Sequence, residues 1–250
     1  MLIYFATTCL NFELRHRWQM SSILQQRGKL PLIFVDCAIL EGDENPLRFP
    51  LNATDPYKCG IGYYQTDRET FARRALTRTE QIARAREAKA DYIYFADCDH
   101  IYEPRFFCRL FKYLRTTGKA VTNCIHSKWQ VHTQVAPTNA ACEELRDKPI
   151  LPNAWARAMK LPYMDKPTRA VAAGNMQVCK LDAVYEKTGG VYVPAEKTRD
   201  GHLFNQGQRA RSDIQFRGRM GGTTSIDLPA QVHLQHRRDK EEGHHLEEQR

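Results

Sequence analysis

The chain has 250 residues, a net charge of +8, 42% hydrophobic residues and 26% charged ones. That length supports one large domain or two small ones with ample core, and the balance is ordinary for a soluble globular enzyme, which excludes disordered and fibrous classes. No stretch approaches the roughly 18 consecutive apolar residues of a membrane span. The positive charge asks for an anionic partner without choosing among a nucleotide diphosphate, an acidic glycan, peripheral contact with an anionic surface, or nucleic acid.

Leu2 to Thr7 is a short apolar run of strand type, and Asn11 to Gln26 has helical spacing in Phe12, Trp18, Ile23 and Leu24. Leu30 to Cys37 (LPLIFVDC) is a second buried strand, so the first 37 residues read as a βαβ unit and a parallel sheet. Residues 40–66, rich in Asp, Asn, Pro and Gly, read as a surface excursion. Arg68 to Ala90 predicts one helix that delivers the chain to a third strand, Tyr92–Ala96. Pro104 to Thr116 predicts a helix buried through Phe106, Phe107, Leu110, Phe111 and Leu114, and Ala120 to Ile125 a strand. Residues 126–168 carry Trp129, Trp155 and several prolines with little periodicity, which suits a substrate-facing region. Arg169 to Cys179 is strand-like, and Leu181 to Thr188 is a helix closed by Gly189-Gly190. After a polar loop over 191–211 comes a short helix, Ser212 to Met220, with Ser212 as N-cap and Gly221-Gly222 as its stop. Gln231 to His236 reads as a last strand. No repeat or low-complexity linker divides the chain. The expected organisation is one domain over 1–240, with a nucleotide-binding half (1–125), an acceptor and catalytic half (126–240), and a charged tail over 241–250.

Eight cysteines are scattered without a Cys-x-x-Cys pair, so neither a zinc ribbon nor a thioredoxin-type site is supported. The N-terminal MLIYFATTCLNFELRHR lacks the basic start of a secretion signal. Both features lead to the expectation of reduced thiols in a cytoplasmic protein.

The most informative stretch is Asp91 to Pro104, in which the apolar strand Tyr92–Ala96 empties into Asp97-Cys98-Asp99. A bare Asp-x-Asp arises about once by chance in a chain this acidic. Paired carboxylates at the C-terminal end of a buried strand, however, suit a hard divalent cation over phosphate oxygens. A solvated turn at the strand end is the plain alternative.

The segment YIYFADCDHIYEP resembles the Asp-x-Asp strand of GT-A fold glycosyltransferases, most nearly the family-2 and family-7 types that include β-1,4-galactosyltransferases and chondroitin polymerases. Three later segments are similar to the family pattern in the same order. AAGNMQVCKLDAVYEKTGGV (172–191) resembles the glycine-rich strand and helix beside the sugar pocket. ARSDIQFRGRMGG (210–222) resembles the Glu-Asp helix that carries the base, and VHLQHRRDKEE (232–242) the late segment whose histidine completes the metal site. The resemblance spans about residues 90–240. It departs from the family where Ser212-Asp213 stands in place of the Glu-Asp pair.

The resemblance implies an α/β fold of GT-A type, with a mostly parallel central sheet flanked by helices. It implies a metal-dependent hexosyltransferase that moves a sugar from a nucleotide-diphosphate donor, a UDP-sugar, to a glycan or other hydroxyl acceptor with inversion. Asp99 would ligate Mn²⁺ (or Mg²⁺) with His236, or His233 in its place, and Asp97 would bind the donor ribose or the metal through water. Imidazole favours Mn²⁺ over Mg²⁺. Asp213 would take the acceptor proton, its charge favoured by the first turn of a helix, where an acid is also a common start residue. Donor contacts are expected from Thr7, Thr8, Asn11, Asp36, Arg78, Asp97, Gly174 and Asn175, although strand-end polarity and a solvated helix face explain several equally well. Trp129, Trp155 and Ser212 are the acceptor candidates; core packing is the commoner fate of tryptophan.

Other readings stay open on the sequence. A sugar nucleotidyltransferase would need a Gly-rich loop after the first strand, where the chain has TTCLNFELR. A basic nucleic-acid-binding protein would fit the charge, but no RNP, helix-turn-helix or zinc-finger signature supports it. An inactive, glycan-binding GT-A relative is suggested by Ser212 alone.

Overall fold

A computed structural model of the chain describes residues 1–9, 13–24, 26–43, 59–98, 100–102, 105–117, 121–131, 168–169, 176–194, 206–221 and 224–234. The elements in chain order are β1 (Leu2–Cys9), α1 (Glu13–Leu24), β2 (Leu32–Leu40), β3 (Cys59–Thr66), α2 (Arg68–Ala72), α3 (Arg74–Glu87), β4 (Tyr92–Ala96), β5 (His100–Tyr102), α4 (Phe106–Thr117), β6 (Val121–Val131), β7 (Thr168–Arg169), β8 (Met176–Lys180), α5 (Leu181–Thr188), α6 (Gln206–Arg219) and β9 (Thr224–Leu234). The expected tail over 241–250 lies outside the described residues.

The nine strands among the described residues join one sheet in the order β3-β2-β1-β4-β8-β6-β9-β5, with β7 on β6. The block β3-β2-β1-β4 is parallel throughout, β8 is antiparallel to both β4 and β6, and β9 runs parallel to β6. Six strands (β1, β2, β3, β4, β6 and β9) therefore point one way, as expected of a mostly parallel sheet. The reversed strands β8, β5 and β7 lie in its C-terminal part.

Strand alternation explains why the central strands are apolar throughout. Ile3 and Phe5 of β1 and Tyr92, Tyr94 and Ala96 of β4 face one side, where Met20 and Ile23 of α1 and Phe106, Phe107, Leu110 and Leu114 of α4 cover them. Tyr4, Ala6, Ile93 and Phe95 face the other side, under Ala75, Ile82 and Ala85 of α3, Leu181 and Val184 of α5, and Phe216 of α6. A sheet covered on both faces reads as continuous apolar runs rather than as alternation. The four α4 side chains are fully buried, and each contributes about 1.5–3 kcal/mol of burial.

Several boundaries differ from expectation for identifiable reasons. Residues 59–66, expected within a surface excursion, form the edge strand β3 paired with β2. Its glycines serve packing: a Cβ on Gly60 would stand 2.9 Å from the Phe34 ring. The helix expected over 68–90 is two helices. Asp67 caps α2 through Thr70 N–H, and Arg73 adopts an extended conformation before α3 begins. The strand expected over 231–236 starts earlier, at Thr224, and carries Pro229. Because proline cannot donate to a ladder, the pairing with β6 shifts register between Ser127 and Lys128. Gly189 closes α5 in the left-handed conformation, as expected. Among the described residues, no helix is long and apolar enough to cross a membrane.

Candidate active site

The strand order reverses between β1 and β4. Strands β1 to β3 extend to one side, and β4 leads to the other. In an open α/β sheet the crevice outside the C-terminal ends of the strands at such a point is the natural ligand site. Thr7, Thr8 and Cys9 end β1 there, and Asp97 follows the last residue of β4.

Two arginines converge on Asp97. Arg74 donates from one terminal nitrogen to Asp97 Oδ1 at 3.0 Å, and Arg78 lies 3.7 Å from the same oxygen. The two are not equivalent. Arg78 is 1% exposed and spends its guanidinium on the Ala6 carbonyl (2.8 Å), the Ala96 carbonyl (3.0 Å) and Gln81 Oε1 (3.0 Å), with the Phe95 ring beneath it. It fastens β1 to β4 at the reversal. Arg78, expected as a donor contact, is thus buried, with its guanidinium engaged by the two central strands. Burial and the neighbouring Arg74 charge push its pKa down from the usual value. Arg74, the first residue of α3, keeps partial access to solvent. Two buried glutamines complete the frame. Gln81 donates to the Thr7 carbonyl at 2.7 Å, and Gln19 of α1 donates to the Asp97 carbonyl at 2.5 Å. Thr7 is fully buried with its hydroxyl toward Gln19, whereas Thr8 is half-buried.

Asp213 reaches the same place from α6. Its Oδ2 lies 3.8 Å from Arg74, and its Oδ1 accepts a 2.6 Å hydrogen bond from the Tyr192 hydroxyl. Burial, and then the Asp213 charge, push the Tyr192 pKa well above the usual phenol value, so this O–H stays protonated and donates. The Tyr192 ring stacks on Phe216, centroids 4.1 Å apart and 17° between planes. Arg219 holds that segment by donating to the carbonyls of Val191, Tyr192 and Thr188. One expectation is overturned here. The helix begins at Gln206, not Ser212: QGQRAR has no proline, and its Gln, Arg and Ala residues are good helix formers that carry the helix past Gly207. Ser212 is thus a buried interior residue rather than an N-cap, and Asp213 sits beyond the first turn, where the helix dipole has faded. Tyr192 and Arg74 provide the stabilisation that the dipole does not.

Strand pairing places one of the two late histidines, His233. β5 is antiparallel to β9, with His100 opposite His233, and β9 runs toward the Asp97 end of β5. His100 is fully buried, with Nδ1 3.3 Å from the Asp97 carbonyl. Asp99 and His236 lie outside the described residues, as do Asn11, Trp155, Gly174 and Asn175. Among the described residues no three metal-ligating side chains converge. By backbone register His233 stands opposite His100, three residues after Asp97, and carboxylate with imidazole is the type of donor set that suits Mn²⁺. Trp129 is placed on β6 opposite Val232.

Asp36, expected at the end of the second strand, sits in its middle because β2 continues to Leu40. It is 1% exposed and is held by a hydrogen bond from the Tyr4 hydroxyl and by Arg84 Nε at 2.6 Å. Arg74, Tyr192, Gln19 and Gln81 escaped the sequence reading. The glutamines leave a trace, as polar side chains on otherwise apolar helix faces, but Arg74 is one of four arginines between positions 73 and 84.

No protein-family model matches the sequence, and no curated protein matches it. Solved structures do. The chain aligns with the S. aureus TarS 1-349 structure at a TM-score of 0.54 and 10% identity, over 93% of this chain and 60% of that one. It aligns with the mannosyltransferase PcManGT from Pyrobaculum calidifontis, solved in complex with GDP-Man and Mn²⁺, at 0.53 and 13%, over 95% and 58%. The chain thus spans about 60% of the length of these structures. At such identities the likeness establishes the fold, and that fold is of GT-A type.

Proposed function

We propose that the chain is a metal-dependent glycosyltransferase that moves a hexosyl group from a nucleotide-diphosphate sugar, a UDP-sugar, to a hydroxyl acceptor with inversion. The observation that carries this reading is the Arg74 bridge between Asp97 and Asp213 at the reversal point of a GT-A sheet. It brings a donor-side acid and an acceptor-side acid within the span of one side chain, as a single-displacement transfer requires.

In this reading Asp97 takes the donor ribose or a metal-bound water, and Asp99 holds Mn²⁺ (or Mg²⁺) with His236 or His233. A cation held there would neutralise the charge on the leaving diphosphate. The acceptor oxygen bonds to the anomeric carbon, and its proton passes to the Asp213 carboxylate. The bond from that carbon to the diphosphate oxygen breaks with its electron pair on the diphosphate. Tyr192 fixes Asp213 Oδ1 and so leaves Oδ2 to face the acceptor. Thr8, Asn11, Gly174 and Asn175 would line the donor, and Trp129, Trp155 and Ser212 the acceptor. Thr7 and Asp36, both buried, would support the donor site from beneath.

Sugar transfer and donor hydrolysis, measured with and without Mn²⁺ on wild type, Asp99→Ala and Asp213→Asn, test the proposal. Each variant is expected to lose about 100-fold or more. Activity indifferent to Mn²⁺ and to Asp99→Ala would remove the metal role, and an unimpaired Asp213→Asn would remove the base.

A further inference from the structure

Asp97, Asp213, Arg74 and Arg78 form a quartet of two negative and two positive charges at the mouth of the sheet. Its two cations have different standing. Arg78 is sealed in, 1% exposed, and bonded to the backbone of both central strands. Arg74 has a side chain 21% exposed and sits where the helix is interrupted at Arg73, so its stem is not part of a packed helix interior. Its contacts are also unequal, a hydrogen bond of 3.0 Å to Asp97 and a looser 3.8 Å ion pair to Asp213. A guanidinium fork matches phosphate oxygens as well as it matches carboxylates.

We infer that Arg74 is the residue that receives the donor's diphosphate, and that in the donor-free protein it is kept at the site as the counter-ion of Asp97 and Asp213. The inference rests on the glycosyltransferase reading above. A diphosphate entering beside Asp97 brings negative charge to the one cation of the quartet that solvent reaches. A cation bound at the acids would at the same time repel Arg74 from Asp97. Turning to the phosphates, the guanidinium leaves Asp213 Oδ2, the oxygen that then meets the acceptor hydroxyl. Donor arrival thereby uncovers the base, which predicts that donor binds before acceptor.

Calorimetric titration of UDP and GDP in the presence of Mn²⁺ tests this on wild type, Arg74→Gln and Arg74→Lys, with uridine and guanosine as controls. Arg74→Gln is expected to weaken the preferred nucleoside diphosphate by about tenfold or more, with nucleoside binding unchanged. Arg74→Lys keeps the charge but loses the fork and should weaken it by about threefold or more. In transfer assays the donor KM should rise while the acceptor KM stays constant, a split that a purely structural role would not give. If Arg74→Gln does not fold, Arg74→Lys carries the same test. Diphosphate affinity unchanged in the folded variants overturns the inference alone. Failure of wild type to bind either nucleoside diphosphate overturns the glycosyltransferase reading and the inference with it.

Discussion

Acid should loosen this fold through His16. α1 buries its imidazole to 1% exposure against the edge of the Tyr63 ring, centroids 5.6 Å apart and 82° between planes. Among the described residues neither ring nitrogen has a hydrogen-bond partner of good geometry. Burial lowers its pKa from 6.5 to about 4, with the nearby Gln19 amide acting in the opposite direction. Between those values the unfolded chain binds a proton that the folded chain refuses. By linkage, this contribution is complete above about pH 6.5 and is lost as the pH falls toward about 4. At about 1.36 kcal/mol per pH unit, the interval from 6.5 to about 4 gives roughly 3 kcal/mol, a large share of an ordinary folding free energy. Denaturant unfolding of wild type and His16→Gln at about pH 7.5 and about pH 4.5 isolates the effect, because other titrating groups are common to both proteins. Wild type should lose roughly 2.5 kcal/mol more than the variant over this interval. Parallel losses in the two proteins would refute the reasoning. Gln19 ties α1 to the Asp97 carbonyl, so transfer activity should decline in the same pH window.

Three further outcomes follow from the same contacts. Tyr192→Phe keeps the stack on Phe216 and deletes the hydrogen bond to Asp213; steady-state kinetics should show kcat falling about tenfold to a hundredfold with donor KM little changed. Arg84→Ala strands the buried Asp36 carboxylate beside Tyr4. Chemical denaturation should register a loss of about 3 kcal/mol, the low end for a broken buried pair because Arg84 is more than a third exposed. Gly189→Ala meets open space and should cost about 1 kcal/mol for its left-handed backbone, whereas at Gly190 the new Cβ would stand 2.6 Å from the Tyr185 ring. Thermal melting should therefore rank Gly190→Ala as clearly the worse.

The N-terminal half was legible because its strands are buried on both faces. LIYFA, LIFVDC and YIYFA are short, β-branched and aromatic apolar runs of strand length, as parallel central strands should be, and Asp97 follows directly from the last of them. β3 was hidden by glycines whose purpose, room for the Phe34 ring, exists only once the strands are paired. β6 and β9 were under-read because VTNCIHSKWQV and TSIDLPAQVHL mix polar residues and a proline into long strands that tolerate them through a register shift. β5 is three residues long, below what periodicity can report, yet it brings His233 opposite His100.

The residue proposed as base draws attention in the sequence, but its setting does not. Asp213 stands out by its place in a resembling segment, where a helix start is expected to favour its charge. In the fold that helix begins seven residues before Asp213, and two side chains far apart in sequence hold the carboxylate instead. Both depend on local events of no obvious sequence weight. The interruption at Arg73 lets α3 restart with Arg74 aimed at Asp97, and Arg219 in the last turn of α6 pins the Tyr192 segment beneath Asp213. Substituting Arg219 should consequently act on catalysis through Tyr192, and its kinetic effect should largely vanish in a Tyr192→Phe background. Independent, additive losses in that double-mutant cycle would show that Arg219 serves only to join α5 to α6.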